Sequence, residues 1–194
     1  INKKLIKIVD YKSFNWSKVN KETFIFIAVG NNYLRKKIAS EIKTKNKNIK
    51  WGTIISPDAI IEKNVKIKPG TLVVSGSIIN PGTIIGAHCI INTRSSIDHD
   101  NVFGDFSSSA PSVVTGGNVS VGKLSFLGIR STIINNIKIG SKTIIGANSL
   151  VNKNCLSNYT YFGTPAKKSM STVTDIEVVD SHTVKMKLNT SFAD

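Results

Sequence analysis

The chain has 194 residues, a formal net charge of +14, 40% hydrophobic residues and 20% charged residues, which is ordinary for a globular protein with a buried core. No apolar run approaches the roughly 20 residues that a membrane span needs, and the basic N-terminus lacks a signal-peptide core. We therefore expect a cytoplasmic protein with no membrane partner. Its two cysteines, Cys89 and Cys155, are too few for a disulfide framework, and we expect free thiols.

Residues 1–50 predict a small α/β unit. Leu5–Val9 and Phe24–Val29 are compact apolar runs with β-branched residues, which are typical of strands. Leu34–Ile42 has helical spacing, and the Gly30–Asn32 turn before it supplies a cap. The predicted order is therefore strand, strand, helix.

From residue 55 to residue 151, an aliphatic residue occupies nearly every sixth position. These rungs are Ile55, Ile61, Ile67, Val73, Ile79, Ile85, Ile91, Ile97, Phe103, Ser109, Thr115, Val121, Leu127, Ile133, Ile139, Ile145 and Val151. Only Ser109 and Thr115 are polar, and the residue four positions after a rung is mostly small or β-branched. Each hexapeptide then supplies one short strand and one turn, and three of them close a triangular coil that stacks on the next at about 4.8 Å. Residues 51–168 are therefore predicted to form a mainly β domain, a left-handed parallel β-helix.

Two segments follow the last rung. Thr160–Lys168 contains a glycine and a proline and is predicted to form a turn. Residues 169–194 are a polar tail in which Val184, Met186 and Leu188 alternate with lysines. This tail is either a strand from a further domain or a disordered linker, and the alternation slightly favours the strand.

The basic charge raises the question of a nucleic-acid partner, since a positive surface attracts polyphosphates. Much of the lysine lies between residues 35 and 50, where we interpret it as the solvated face of the helix and the loop after it. The repeat region has no aromatic platform on which bases could stack. We therefore expect no nucleic-acid partner; a small polyphosphate such as a nucleotide sugar or coenzyme A fits the charge equally well.

Six short motifs resemble, in their order along the chain, those of one acyltransferase family. They are Phe26–Asn32, Leu34–Lys37, Ile91–Thr93, Asp98–Asp100, Gly116–Val119 and Gly163–Lys167. The family is that of hexapeptide-repeat sialic acid O-acetyltransferases and nucleotide-aminosugar N-acetyltransferases, and the similarity covers about residues 5 to 168. It implies metal-free acetyl transfer from acetyl-CoA to the 4-amino group of a nucleotide-linked 4-amino-4,6-dideoxy sugar, for glycan biosynthesis. It also implies a homotrimer with active sites between subunits.

Two other functions stay open at this point. One is O-acetylation of sialic acid, and the other is a non-catalytic trimerisation domain of a larger glycan-assembly protein. A zinc-dependent carbonic anhydrase of the same fold would need three histidines, and only His88 and His99 lie in the repeats. We interpret His88 as structural or as a surface residue.

The resemblance assigns the catalytic residues. Acetyl transfer needs a base near the nucleophile and a hydrogen-bond donor for the oxyanion, and His99 is the credible base. The family motif gives the acidic residue after it, Asp100, the orienting role, with Asp98 as a substitute. Because one coil is three hexapeptides, Gly117 stacks directly beyond His99, and we predict that its N–H binds the acetyl carbonyl. Gly116 fits the simpler role of a turn glycine with positive φ.

The resemblance also implies where the ligands bind. Ser108 stands where the family often has a second histidine in contact with the coenzyme. The coenzyme contacts implied are Ser108, Gly116, Ile129, Ala147, Gly163, Pro165 and Lys167, with Lys168 as a second phosphate ligand. The chain begins at what resembles the family's second strand, so we expect an N-terminally incomplete α/β unit. Asp10 and Gly30 are what we expect to remain of its nucleotide-sugar pocket.

Overall fold

The main body of the protein is a prism of stacked coils. The computed structural model describes residues 7–16, 19–20 and 22–169, and the backbone of 173–178 and 184–188. Hydrogen-bonded strand partners are parallel and three hexapeptides apart, as in the pairing of Ile54 with Leu72 and of Leu72 with Ile90. Three hexapeptides therefore close each coil, and the predicted left-handed parallel β-helix is confirmed.

The prism has three faces, each a sheet of short strands. The first face contains Ile54–Ile55, Leu72–Val73, Ile90–Ile91, Ser108–Ser109, Phe126–Leu127, Ile144–Ile145, Thr160–Phe162 and Lys167–Lys168. The second face contains Ile60–Ile61, Ile78–Ile79, Ser96–Ile97, Val114–Thr115, Thr132–Ile133 and Leu150–Val151. The third face contains Lys66–Ile67, Ile84–Ile85, Val102–Phe103, Ser120–Val121 and Lys138–Ile139.

The rungs form the core. Those from Val73 to Val151 are at most 2% exposed, so their side chains fill the interior of the prism. The two polar rungs have hydrogen-bond partners: Ser109 Oγ lies 3.0 Å from Ser95 Oγ, and Thr115 Oγ1 accepts from the Asp98 N–H at 3.3 Å. Buried hydroxyls with such partners avoid the cost of an unsatisfied polar group.

The N-terminal unit is a strand–helix–strand arrangement. Strand β1 (Phe24–Ile25) pairs in parallel with β2 (Lys50–Trp51), and helix α1 (Asn32–Lys45) lies between them in the chain. The predicted cap is confirmed, because the Asn31 side chain accepts a hydrogen bond from the Leu34 N–H. The predicted order was wrong. Within the Phe24–Val29 run, only the first two residues pair with β2, which is itself two residues long. Residues 7–9 form no strand, and Leu5 and Ile6 lie outside the described residues.

Helix α1 is fixed to the prism by a buried arginine. Arg35 is 1% exposed, and its guanidinium donates to the carbonyl oxygens of Val29, Gly30 and His88 at 2.8–2.9 Å. His88 lies beneath it, stacked on Phe106 with ring centroids 4.8 Å apart. Of the two interpretations of His88, the structural one is correct and the surface one is wrong, because His88 is 5% exposed and joins the N-terminal unit to the first face.

The C-terminal segments are short antiparallel pairs. Thr160–Phe162 pairs with Lys167–Lys168, which confirms the predicted turn between them. The backbone strands Val173–Val178 and Val184–Leu188 also pair with each other, so this part of the tail forms a hairpin; the rest of residues 170–194 lies outside the described residues.

Both cysteines are buried free thiols, as predicted. Within the part of the chain that the structure describes, no helix combines the length and apolar character that crossing a bilayer requires.

Candidate active site

His99 and Asp100 form a pair at one edge of the prism. They lie in the turn between Ser96–Ile97 of the second face and Val102–Phe103 of the third. His99 Nδ1 is 2.8 Å from Asp100 Oδ2, and the imidazole is 59% exposed in the single chain. With Nδ1–H donating to the carboxylate, Nε2 carries the free lone pair and can accept a proton.

The electrostatics of the turn make this histidine a stronger base, because they stabilise its protonated form. The hydrogen bond that His99 donates to Asp100, with the nearby charge of Asp98, raises the pKa of His99 above its ordinary value. The Asp98 carboxylate is held by the main chain, because it accepts from the His99 N–H at 2.8 Å. Asp100 is therefore the partner of the ring, and Asp98 supports the turn and adds charge.

Gly117 lies directly beyond the imidazole. A Cβ atom at residue 117 would be 2.5 Å from His99 Nε2 and Cε1, so only glycine accommodates the ring in this position. Among the described residues, the Gly117 N–H donates no hydrogen bond, whereas the Gly116 N–H donates to the Ile133 carbonyl at 2.8 Å. Gly117, and not Gly116, thus has a backbone donor free at the site.

Neither of these glycines has the positive φ that a turn explanation requires. The left-handed residue of this corner is Asn118, with φ 56°. The turn interpretation of Gly116 was therefore wrong, and its actual constraint is steric. A Cβ there would lie 2.7 Å from the backbone nitrogen of Asn135 in the next coil.

The residues expected to contact pantetheine lie on a different edge. Ile129 and Ala147 stack on each other between the first and second faces, with the Asn148 N–H bonded to the Ile129 carbonyl. Both are exposed, Ile129 to 48%. This Ile129 edge and the His99 edge flank the second face, so one chain does not bring its own His99 next to Ile129.

The turn between Thr160–Phe162 and Lys167–Lys168 carries the remaining residues that were expected to contact the coenzyme. Gly163 has φ +102° and its carbonyl accepts from the Leu150 N–H, and Pro165 follows it at the exposed tip. Lys167 is exposed and has no ion pair among the described residues. Lys168 Nζ lies 3.6 Å from the centroid of the Tyr159 ring, so it already has a cation–π partner.

Ser108 does not reach this site. It is 3% exposed on the first face, and its hydroxyl donates to Asn32 Oδ1 at 2.6 Å and accepts from Arg35 Nη2 at 2.9 Å. Helix α1 covers it, which leaves the predicted coenzyme contact without a free hydroxyl. The observed role of Ser108 is to join α1 to the prism.

The two residues expected to bind nucleotide sugar lie in the N-terminal unit. Gly30 lines a groove of about 280 Å³ between residues 26–30 and the first face, where Asn92 forms part of the opposite wall. Asp10 begins a turn and accepts from the Lys12 N–H, a bond that lowers the pKa of its carboxyl group. Asp10 does not line that groove.

Sequence reasoning missed two residues that shape the turn. Asn101 is buried and donates hydrogen bonds to three carbonyl oxygens of the corner. The sequence could have indicated it, because it is an asparagine at a repeat position that is otherwise mostly small or β-branched. Gly82, one coil earlier, leaves room for Asp100 Oδ1, which a Cβ at residue 82 would overlap.

Comparison with solved structures gives close matches to sugar acetyltransferases, although no protein-family model matches the chain. One match is GDP-perosamine N-acetyltransferase from Caulobacter crescentus, in a variant with one histidine replaced by alanine and in complex with CoA and GDP-perosamine. It is 32% identical to this chain. The match covers 74% of this chain and 68% of that one, with a TM-score of 0.72. The acetyltransferase domain of PglB from Neisseria gonorrhoeae, in complex with acetyl coenzyme A, is 26% identical over 79% of this chain and 74% of that one, with a TM-score of 0.74. WeeI from Acinetobacter baumannii is 25% identical over the same shares, with a TM-score of 0.73.

Proposed function

The chain belongs to the hexapeptide-repeat family of sialic acid O-acetyltransferases and nucleotide-aminosugar N-acetyltransferases and is an acetyl-CoA-dependent sugar acetyltransferase, and we propose that it acetylates the 4-amino group of a nucleotide-linked 4-amino-4,6-dideoxy sugar. The observation that carries this proposal is the His99–Asp100 pair with the free Gly117 N–H beside it. It agrees with the CoA and GDP-perosamine bound by the Caulobacter relative.

His99 is the general base in this proposal. As the amine nitrogen attacks the thioester carbonyl, its proton passes to His99 Nε2, while Asp100 holds the ring through Nδ1 and stabilises the imidazolium. The C–N bond forms, the C–S bond breaks, and the imidazolium returns the proton to the departing thiolate. The products are the N-acetyl sugar and free CoA.

The Gly117 N–H is the oxyanion donor. The carbonyl oxygen becomes negative in the tetrahedral intermediate, and a fixed backbone N–H stabilises it without reorganisation. Removal of one such donor typically costs about 2.7–4 kcal/mol of transition-state stabilisation. The close approach of Gly117 to the imidazole supports this role, because a donor and a base so close together could act on the same reacting carbon.

We propose a homotrimer with its active sites between subunits. The His99 edge and the Ile129 edge flank the second face, so a three-fold arrangement about that face sets the His99 edge of one subunit against the partner's Ile129 edge. Exposed apolar side chains on the second face fit this arrangement, with Ile60 53% and Val114 42% exposed. The third face carries Lys66 and Lys138 and suits solvent.

The ligands would occupy the surfaces on either side of this interface. The pantetheine arm would pass along Ile129 and Ala147, with Gly163 and Pro165 near its far end. The exposed Lys167 would contact the phosphates. The groove beside Gly30 would hold the nucleotide of the acceptor, close to the Ile129 edge.

An assay of thiol release from acetyl-CoA tests the proposal. Nucleotide-linked 4-amino-4,6-dideoxy sugars should be acetylated, and free sialic acid should not. His99→Asn should lose at least about 10²-fold in kcat because it removes the base. The matched control is Lys63→Ala, an exposed position on the same edge two coils earlier, which should keep full activity.

Each alternative predicts a different result. Acetylation of a hydroxyl in preference to the amine would assign the chain to O-acetylation. Wild-type turnover by His99→Asn would overturn the role of His99. Light scattering tests the assembly, and a monomer with full activity would contradict interfacial sites.

A further inference from the structure

Asn101 stands out from the other residues at its position in the repeat. It follows the rung Ile97 by four residues, a position that elsewhere is mostly Ala, Val, Ser, Thr or Cys. Its side chain is 0% exposed inside the corner that carries His99. An amide in a file of small side chains is a departure from the packing rule of the fold, and it occurs in the coil that holds the catalytic pair.

The hydrogen bonds of Asn101 extend a pattern that other residues in the file show. The hydroxyls of Thr71, Ser77 and Ser125 each donate to the carbonyl oxygen 15 residues later, which ties one coil to the next. Asn101 Nδ2 makes the same bond, to the Gly116 carbonyl at 2.9 Å. It also donates to two carbonyls of its own turn, those of Asp98 at 2.7 Å and His99 at 3.1 Å, where the Thr143 hydroxyl makes one such bond, to the Ser141 carbonyl at 3.5 Å.

These bonds connect the base to the oxyanion donor. The Gly116 carbonyl and the Gly117 N–H belong to one planar trans peptide, so they point in opposite directions. Because the carbonyl is held inward by Asn101, the N–H is directed outward, at the residue whose Cα lies beside the imidazole. The bonds to Asp98 and His99 fix the peptides on both sides of the base.

We propose that Asn101 is a positioning residue that sets the Gly117 N–H and the His99 imidazole in register across two coils. This inference rests on the proposed function. Asn101 does not touch the reacting atoms. It orients the two groups that do, and its bond to the Gly116 carbonyl polarises the peptide and strengthens the N–H as a donor.

The same residue leaves a buried group without a partner. Asn101 Oδ1 is one of three buried side-chain polar atoms with no hydrogen-bond partner among the described residues. Such an atom lowers stability. A serine at residue 101 would match the file, would keep a hydroxyl for the Gly116 carbonyl and would remove the unsatisfied oxygen. Activity and stability should therefore change in opposite directions, which a purely structural role does not predict.

The test compares Asn101→Ser and Asn101→Ala with a control variant, Ser125→Ala, all in the full chain. The control loses the equivalent hydrogen bond at another edge of the prism, the one to the Gly140 carbonyl. We expect a loss in kcat of about tenfold for the serine variant and about 10²-fold for the alanine variant, with KM for acetyl-CoA unchanged. The Tm of the serine variant should equal or exceed that of wild type. Ser125→Ala should keep the wild-type kcat.

An NMR titration of the His99 ring separates this inference from the proposed function. Asn101→Ala should lower the His99 pKa toward its ordinary value, because the turn that holds the ring on Asp100 loosens. That shift in a chain without acetyltransferase activity would sustain the positioning role and refute the proposed function. Full kcat with an unchanged His99 titration in both Asn101 variants would overturn the inference and leave the proposed function standing.

Discussion

Replacing Gly117 by alanine should disable the enzyme while leaving its fold intact. Residue 117 does not have a left-handed φ, so the backbone accepts alanine, and the N–H of residue 117 is retained. The added methyl would lie 2.5 Å from His99 Nε2 and Cε1. The imidazole is the exposed end of a side chain, so it can move away at little cost in stability.

The size of the effect follows from that distance. Non-bonded carbon contacts are favourable at about 3.5–4.0 Å, so the ring must shift by about 1 Å. A misplacement of about 1 Å costs on the order of 10²-fold in rate. This corresponds to about 3 kcal/mol of transition-state stabilisation. We therefore expect kcat to fall about 10²-fold in Gly117→Ala, with KM for acetyl-CoA little changed.

Thiol-release kinetics and thermal unfolding, measured together, check this prediction. Gly116→Ala is the first control, because its methyl would lie 2.7 Å from the backbone nitrogen of Asn135, and it should lower Tm. Gly52→Ala is the second, since its methyl would meet the Phe24 Cβ at 3.4 Å and the Ile25 carbonyl oxygen at 3.8 Å, which are ordinary contacts, and both activity and Tm should stay near wild type. Wild-type kcat in Gly117→Ala would refute the placement of the base over this glycine.

Three further predictions concern charge and burial. Asp100→Asn should move the acidic limb of the pH–rate profile to lower pH, because loss of the hydrogen bond lowers the raised pKa of His99; an unmoved limb would contradict the pairing. Arg35→Met should lower the urea midpoint and raise KM for the nucleotide sugar more than for acetyl-CoA, since Arg35 bonds the carbonyls of two residues in the groove segment 26–30. Burial lowers the pKa of His88 to about 4, so the unfolded chain takes up a proton at higher pH than the folded one. Stability should therefore fall by at most about 3 kcal/mol between pH 7 and pH 4, and His88→Gln should lose that part of the slope in urea titrations.

The β-helix could be predicted from the sequence because its signal repeats. Every sixth residue from Ile55 to Val151 points inward in one unbroken register. A single polar residue in that series, such as Ser109, therefore does not change the prediction. The N-terminal unit offered no such repetition. β1 and β2 have two residues each, and helix α1 with its flanking loops separates them in the chain. No local sequence pattern therefore showed that they pair or that β1 ends at Ile25.

The proximity of His99 and Gly117 could also be predicted, because residues that are three hexapeptides apart in the sequence become neighbours in adjacent coils. His99 and Gly117 are one coil apart, and the structure brings them together. The six-residue spacing does not show which side chains of a prism face are covered by an element outside the repeats. Ser108 was predicted to contact the coenzyme because it stands where the family often has a histidine. Its burial depends on α1, which lies far earlier in the chain and outside the repeats.

Two departures from the repeat, at residues 101 and 115, lie at the His99 corner, and their position has a physical reason. Thr115 replaces an aliphatic rung and bonds the Asp98 N–H, while Asn101 replaces a small residue and bonds three carbonyls of the same corner. A coil that followed the rule would bury only apolar and small side chains and would bond the turn of the next coil through one hydroxyl, as Thr71 and Ser77 do. Polar groups in the core lower stability unless each has a partner, so their clustering in two adjacent coils marks where the chain gives up packing to fix a turn. In a protein built on a repeat, the positions that break the rule in neighbouring coils are therefore a better guide to the functional corner than the exposed polar residues, which every coil has.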